Sequence, residues 1–165
     1  MRTAHIPKLL TGAFMSNQTE QLDKLSFEFF RCFSLLEYAL KEVGHVGGKG
    51  KDNFATVAYE KYFEDNSQHY VASDSALLLI NLSPKMQVCV GKALHWHQVD
   101  FGSDLRGITK CVKTIRNNLF HGGKRGPHGW FDSARVHELL SVGIVVIDEL
   151  AQVNAELYDR YCGRA

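Results

Sequence analysis

Arg116, Asn117 and His121 stand close together in the stretch Ile115-Arg116-Asn117-Asn118-Leu119-Phe120-His121-Gly122-Gly123-Lys124. Arginine is permanently charged, and its planar fork of donors matches a phosphate. Histidine takes up and gives back a proton near neutral pH. Together they are what a site would need to hold and cleave a phosphodiester. From Leu105 to Phe131 the chain also carries Arg106, Lys110, Lys113, Arg116, Lys124 and Arg125, with no acidic residue among them. The plain alternative is a solvated basic face whose charges suit the C-terminal end of a helix dipole, with His121 capping the last carbonyls.

A helix must carry these residues. Leu105, Ile108, Val112, Ile115 and Leu119 recur at steps of three and four, which predicts a helix over about Ser103–Leu119 closed by Gly122-Gly123. At 100° per residue, Arg116 lies beside the apolar stripe and is partly covered. Asn117 and His121 are four apart and share a face, so Asn117 can orient the imidazole. Arg116 and His121 are roughly 140° apart and do not converge on one straight helix. Either the backbone bends before the glycine pair, or the groups that act together come from two chains around a two-fold axis.

The remaining elements form a frame. Residues 1–18 read as a loose leader and 19–165 as a single domain. Leu22, Leu25, Phe29, Phe33, Leu36, Leu40 and Val43 make one stripe on a helix from Gln21 to Val43, stopped by Gly44. Gly44 to Lys51 reads as a flexible basic loop. A second helix is expected from about Asn53 to Asp65, with Phe54, Ala58 and Tyr62 at steps of four. Ser73 or Asp74 can cap a short third helix that Pro84 stops. Met86, Val88 and Val90 alternate with Gln87 and Cys89, as in a short strand or extended arm. The last helix starts at Asp132 or Ser133 and runs to about Tyr161 with two stripes, one of Val136, Leu140, Gly143, Ile147, Leu150, Asn154, Leu157 and Tyr161, the other of Leu139, Val142, Val146 and Val153. One side suits the bundle, and the other suits either a second copy of the chain or deeper burial within one chain. The expected fold is all-α, a bundle of four or five helices with room for a small extended insertion.

Composition narrows the function. The chain has 165 residues, 45% of them hydrophobic, enough for one real core. Nineteen basic against 18 acidic residues give a net charge of +1, so any nucleic-acid site must be local. Cys32, Cys89, Cys111 and Cys162 form no CxxC pair and no disulfide framework, and read as reduced cysteines of a cytosolic protein. Residues 1–19 hold no apolar run of signal-peptide length, and runs such as Ala76–Ile80 fall far short of the ~20 residues a membrane span needs. No metal or other cofactor is expected. Gly47-Gly48-Lys49-Gly50-Lys51 lacks phosphate-loop spacing and follows a helix. His95-Trp96-His97 offers two imidazoles, and two ligands do not make a zinc site.

Arg116-Asn117-Asn118-Leu119-Phe120-His121 resembles the R-x(4–6)-H motif of the HEPN (higher eukaryotes and prokaryotes nucleotide-binding) domains, in the form where Asn follows the Arg. The continuation Gly122-Gly123-Lys124 is similar to HEPN sequences, and Phe33 to Lys41 resembles a family helix that carries an acidic residue. The resemblance covers about residues 20–160, least clearly 84–102. It implies a helical bundle that dimerises and joins both motifs in one cleft. Many members are metal-independent endoribonucleases of toxin–antitoxin and other defence systems; others lack cleavage and bind RNA, nucleotide or a partner protein such as an antitoxin. By this resemblance Arg116, Asn117 and His121 are the catalytic set, and Lys113, Lys124 and Arg125 track RNA. Trp130 and Phe131 are either base-stacking residues or core and dimer contacts. Glu37 either orients a basic motif residue or pairs with Lys41 one turn on. Family toxins paired with a nucleotidyltransferase antitoxin often carry a Tyr two residues after the His, where this chain has Gly123.

Overall fold

A computed structural model describes residues 8–49, 53–120, 125–126, 129–130 and 132–164. Among them are six α-helices, a single 3-10 turn, two β-hairpins and a two-residue antiparallel ladder. The all-α expectation is therefore corrected: this is a mixed helix-and-hairpin fold.

Helix α1 runs from Lys8 to Glu42, so it includes part of the stretch expected as a leader. Its stripe is buried as the spacing predicts, with Leu22, Phe29, Phe33, Leu36 and Leu40 each at most 2% exposed. Gly44, at φ +89°, turns the chain out of the helix in a conformation that a Cβ disfavours. The next segment departs from expectation. Val46–Lys49 (β1) pairs antiparallel with Phe54–Val57 (β2), so neither a flexible loop nor a helix from residue 53 is found. The four-residue steps of Phe54, Ala58 and Tyr62 were a coincidence of spacing, since Phe54 is exposed. Thr56 and Val57 are β-branched and favour the strand. Helix α2 starts only at Tyr59 and ends at Asn66.

Helix α3, Asp74–Asn81, is capped as predicted: the Ser73 hydroxyl accepts from Ala76 N–H at 3.0 Å. Met86–Val90 (β3) and Ala93–His97 (β4) form the second hairpin, with Gly91 and Lys92 at its turn and Gly91 at φ +64°. Helix α4 spans Leu105–Phe120 and buries Leu105, Ile108, Val112 and Ile115. Its entry is tight. Asp104 Oδ1 accepts from Gly107 N–H at 2.7 Å, and a Cβ on residue 107 would lie 1.9 Å from the Phe101 carbonyl oxygen. Arg125–Gly126 (β5) pairs with Gly129–Trp130 (β6).

The last helix is two helices. Helix α5, Ser133–Ala151, packs on α1, α3 and α4, which accounts for apolar residues on both its sides within one chain. Helix α6, Ala155–Tyr161, begins afresh because the Asn154 side chain accepts from Glu156 N–H and Leu157 N–H at 2.9 and 3.2 Å. An Asn in extended backbone at that position satisfies the free donors of a new helix start and ends the old helix. The Tyr62 hydroxyl donates to the Leu150 carbonyl at 2.9 Å, which ties α2 to the last turn of α5. Among the described residues no helix is long and apolar enough to cross a membrane.

Candidate functional site

The C-terminal half of α4 presents two different faces, and the motif is divided between them. Arg116 points at α1. Its Nη2 donates to Glu37 Oε1 at 3.4 Å, its guanidinium carbon lies 4.9 Å from the centre of the Phe33 ring, and about 30% of each charged side chain stays exposed. The partial cover agrees with the helical angle. Glu37 meets the arginine rather than pairing with Lys41 in a described contact. At 3.4 Å the contact is long for a charge-assisted hydrogen bond, so the guanidinium keeps donors for another anion. Its Nε is buried and has no hydrogen-bond partner among the described residues.

A residue that sequence reasoning missed completes this cluster. Tyr59, the first residue of α2, donates its hydroxyl to the same Glu37 Oε1 at 2.8 Å. Burial, and next the Glu37 carboxylate beside it, push the Tyr59 hydroxyl far above its ordinary range, so it stays a donor at any working pH. The one signal in the sequence was negative: Tyr59 is a large aromatic off the stripe assigned to its helix. Lys113 sits over the Tyr59 ring, its Nζ 3.7 Å from the centroid.

The basic stretch is less positive in space than in sequence. Arg106 forms a two-pronged pair with Glu60 at 2.6 and 2.5 Å and covers Phe63. The pair holds the Glu60 carboxyl below its usual range. Two of the cations therefore meet carboxylates that α1 and α2 bring from far along the chain.

Asn117 lies on the other face. It is exposed and lines a cavity of about 280 Å³ together with Met86, Gln87, Thr114 and Asn118. Asn118 is a structural residue, 5% exposed, whose Nδ2 donates to the Lys85 carbonyl at 2.7 Å and so fastens β3 to α4. The helix ends at an aromatic face. Phe120, half exposed, meets Phe30 edge-on with centroids 4.9 Å apart, and Phe27, one turn earlier on α1, is 67% exposed.

His121 and Lys124 lie outside the described residues, as do the glycine pair between them, Phe131 and Gly50 to Asp52. Arg125 and Trp130 are described only as backbone of β5 and β6. His95 and His97 project from exposed β4 opposite Val88 and Met86, and no group of three or more His, Cys, Asp or Glu among the described residues could hold a metal ion. No family model, curated protein or solved structure matches the chain.

Proposed function

We propose that the chain is a metal-independent endoribonuclease of the HEPN type, acting as a cytoplasmic homodimer in a toxin or defence role. The observation that carries this reading is the pairing of the motif arginine, Arg116, with an acidic residue of the first long helix, Glu37, under partial cover. A solvated basic face needs no such partner. Arg116 would bind the scissile phosphate and stabilise charge as it builds in the pentacoordinate transition state. His121 would take the 2′-hydroxyl proton or protonate the leaving 5′-oxygen, each such role being worth about 10²–10⁴-fold. The second chain's copy would supply the complementary role, across a dimer contact seated on Phe27, Phe30 and Phe120. Lys113, Lys124 and Arg125 would follow the RNA backbone, with salt-dependent affinity and little sequence information. The products are a 2′,3′-cyclic phosphate and a 5′-hydroxyl.

The same Glu37–Arg116 pairing would also serve a HEPN-type protein that binds RNA, nucleotide or a partner such as an antitoxin without cleaving. Incubating the purified protein with RNA in EDTA separates the two. Cleavage that is lost in both Arg116→Ala and His121→Ala supports the enzyme, and binding without cleavage supports the second reading. Products ending in 5′-phosphate, or activity abolished by the chelator, would sink the mechanism.

A further inference from the structure

We propose that the cavity between β3 and the C-terminal half of α4 holds one nucleobase of a single-stranded RNA, read by the side-chain amides of Gln87 and Asn117. The inference rests on RNA being the ligand, and adds to it a base-reading subsite and a preference for adenine.

The size suits a fragment of that kind, since about 280 Å³ is near the lower end of cavities that take small ligands. The lining decides the chemistry. Two of its polar side chains are already committed to the fold: the Thr114 hydroxyl donates to the Lys110 carbonyl at 2.9 Å, and the Asn118 amide nitrogen donates to the Lys85 carbonyl. The side-chain amides of Gln87 and Asn117 make no hydrogen bond among the described residues. Each carboxamide carries an acceptor and a two-proton donor side by side. That pair matches adjacent acceptor and donor atoms on a base edge, best known for Asn or Gln against N7 and N6 of adenine. Met86 supplies a polarizable wall for the flat face of the ring.

Among the described residues no carboxylate lines the cavity, so nothing there balances the charge of an ammonium group or a metal ion. Lys110, exposed, stands four residues before Thr114 and seven before Asn117, so the three share one helical face. A phosphate next to the bound base would meet Lys110 there, while the base itself enters between the helix and the hairpin. Unpaired bases splayed from the strand are what proteins read in RNA. On this assignment Asn117 faces a base rather than an imidazole, which accounts for its standing on a different face from Arg116.

The test uses 2′-fluoro octamers of oligoadenylate, oligouridylate and oligocytidylate, which lack the attacking hydroxyl and report binding alone by fluorescence anisotropy. The wild-type chain is expected to prefer oligoadenylate by roughly tenfold. Gln87→Leu and Asn117→Leu should each bring that ratio close to one, and Lys110→Ala should weaken all three probes alike. Thermal melts of each variant show whether it is folded. For a variant that is not, line-broadening or shift of the wild-type Gln87 and Asn117 amide resonances on adding adenosine 5′-monophosphate replaces it. Equal affinity for the three probes, a preference that survives both Leu variants, or no binding of any probe overturns the proposal. All-ribose octamers run in parallel keep the two readings apart: base preference without cleavage would defeat the endoribonuclease and leave the subsite standing.

Discussion

Arg116 is held by Glu37 and Phe33 of α1, far along the chain, and Glu37 is itself held by Tyr59. Glu37 Oε1 accepts from both Arg116 and Tyr59, the tyrosine bond being the shorter at 2.8 Å against 3.4 Å. Tyr59 therefore acts through Glu37 as a positioning residue for the arginine. Tyr59→Phe keeps the ring under Lys113 and removes only the donor, and should cost about 1 kcal/mol of stability. In single-turnover cleavage we expect Tyr59→Phe to lower the rate several-fold and Glu37→Gln roughly tenfold. RNA affinity should stay equal or rise in Glu37→Gln, because a negative charge beside the phosphate site is gone. Affinity and rate falling together would show that Glu37 contacts RNA instead. The direction of Arg116 was legible in its sequence position, because a helical angle places it beside the apolar stripe. Its partners were not, since nothing local relates residue 116 to residues 37 and 59.

At the scale of elements, repeated apolar spacing was informative where a whole face is buried and misleading where it is short. The stripes of α1 and α4 and the Ser73 cap of α3 could be read directly, because each rests on several residues or a specific cap. Three residues at steps of four were too few to establish a helix at Phe54. The β1–β2 hairpin forms there instead, with Val46 across from Val57. Asn154 misled in another way. Counted as one member of a stripe, it is the residue that breaks the stripe by capping α6. Asn154→Ala should remove both bonds to the free N–H groups and lower stability by about 1 kcal/mol, and Asn154→Asp should restore most of it; a melt in which Ala matches wild type would mean the break has another cause. Gly143 was also counted as an apolar stripe member, but what matters is its lack of a side chain. A Cβ there would lie 2.7 Å from Phe29 Cε2, and Phe29 is 0% exposed with no room to retreat. Gly143→Ala should cost about 1–3 kcal/mol by overpacking the α1–α5 contact, read as a lower denaturation midpoint at unchanged m-value.

The molecule as a whole shows the same division between what is local and what folding assembles. A count of charges over Leu105–Phe131 finds cations alone, yet the fold delivers Glu37 and Glu60 to that surface. The cysteines follow the same logic. Cys89 and Cys162 are exposed, whereas Cys32 and Cys111 are buried in the core. Thiol titration of the native protein at neutral pH should find two fast groups, with the other two reacting only after denaturation. Burial pushes the Cys111 thiol from 9.0 up to about 12. Between those values the folded chain keeps a proton that the unfolded chain has released. Stability from this group is therefore complete below about pH 9 and is lost as pH rises toward 12. Tyr70 is raised in the same way from 10.0 to about 12, chiefly by burial, and adds to the loss only above pH 10. The window between pH 9 and 10 thus belongs mainly to thiols, Cys32 being shifted upward as well by its burial. Urea midpoints measured at pH 7.5, 9 and 10 should stay level over the first step and drop over the second. Cys111→Ala should be less stable than wild type at pH 7.5, since the sulfur fills core volume, and should lose less over the second step. A variant that falls as steeply as wild type between pH 9 and 10 would place the alkaline sensitivity elsewhere than at Cys111.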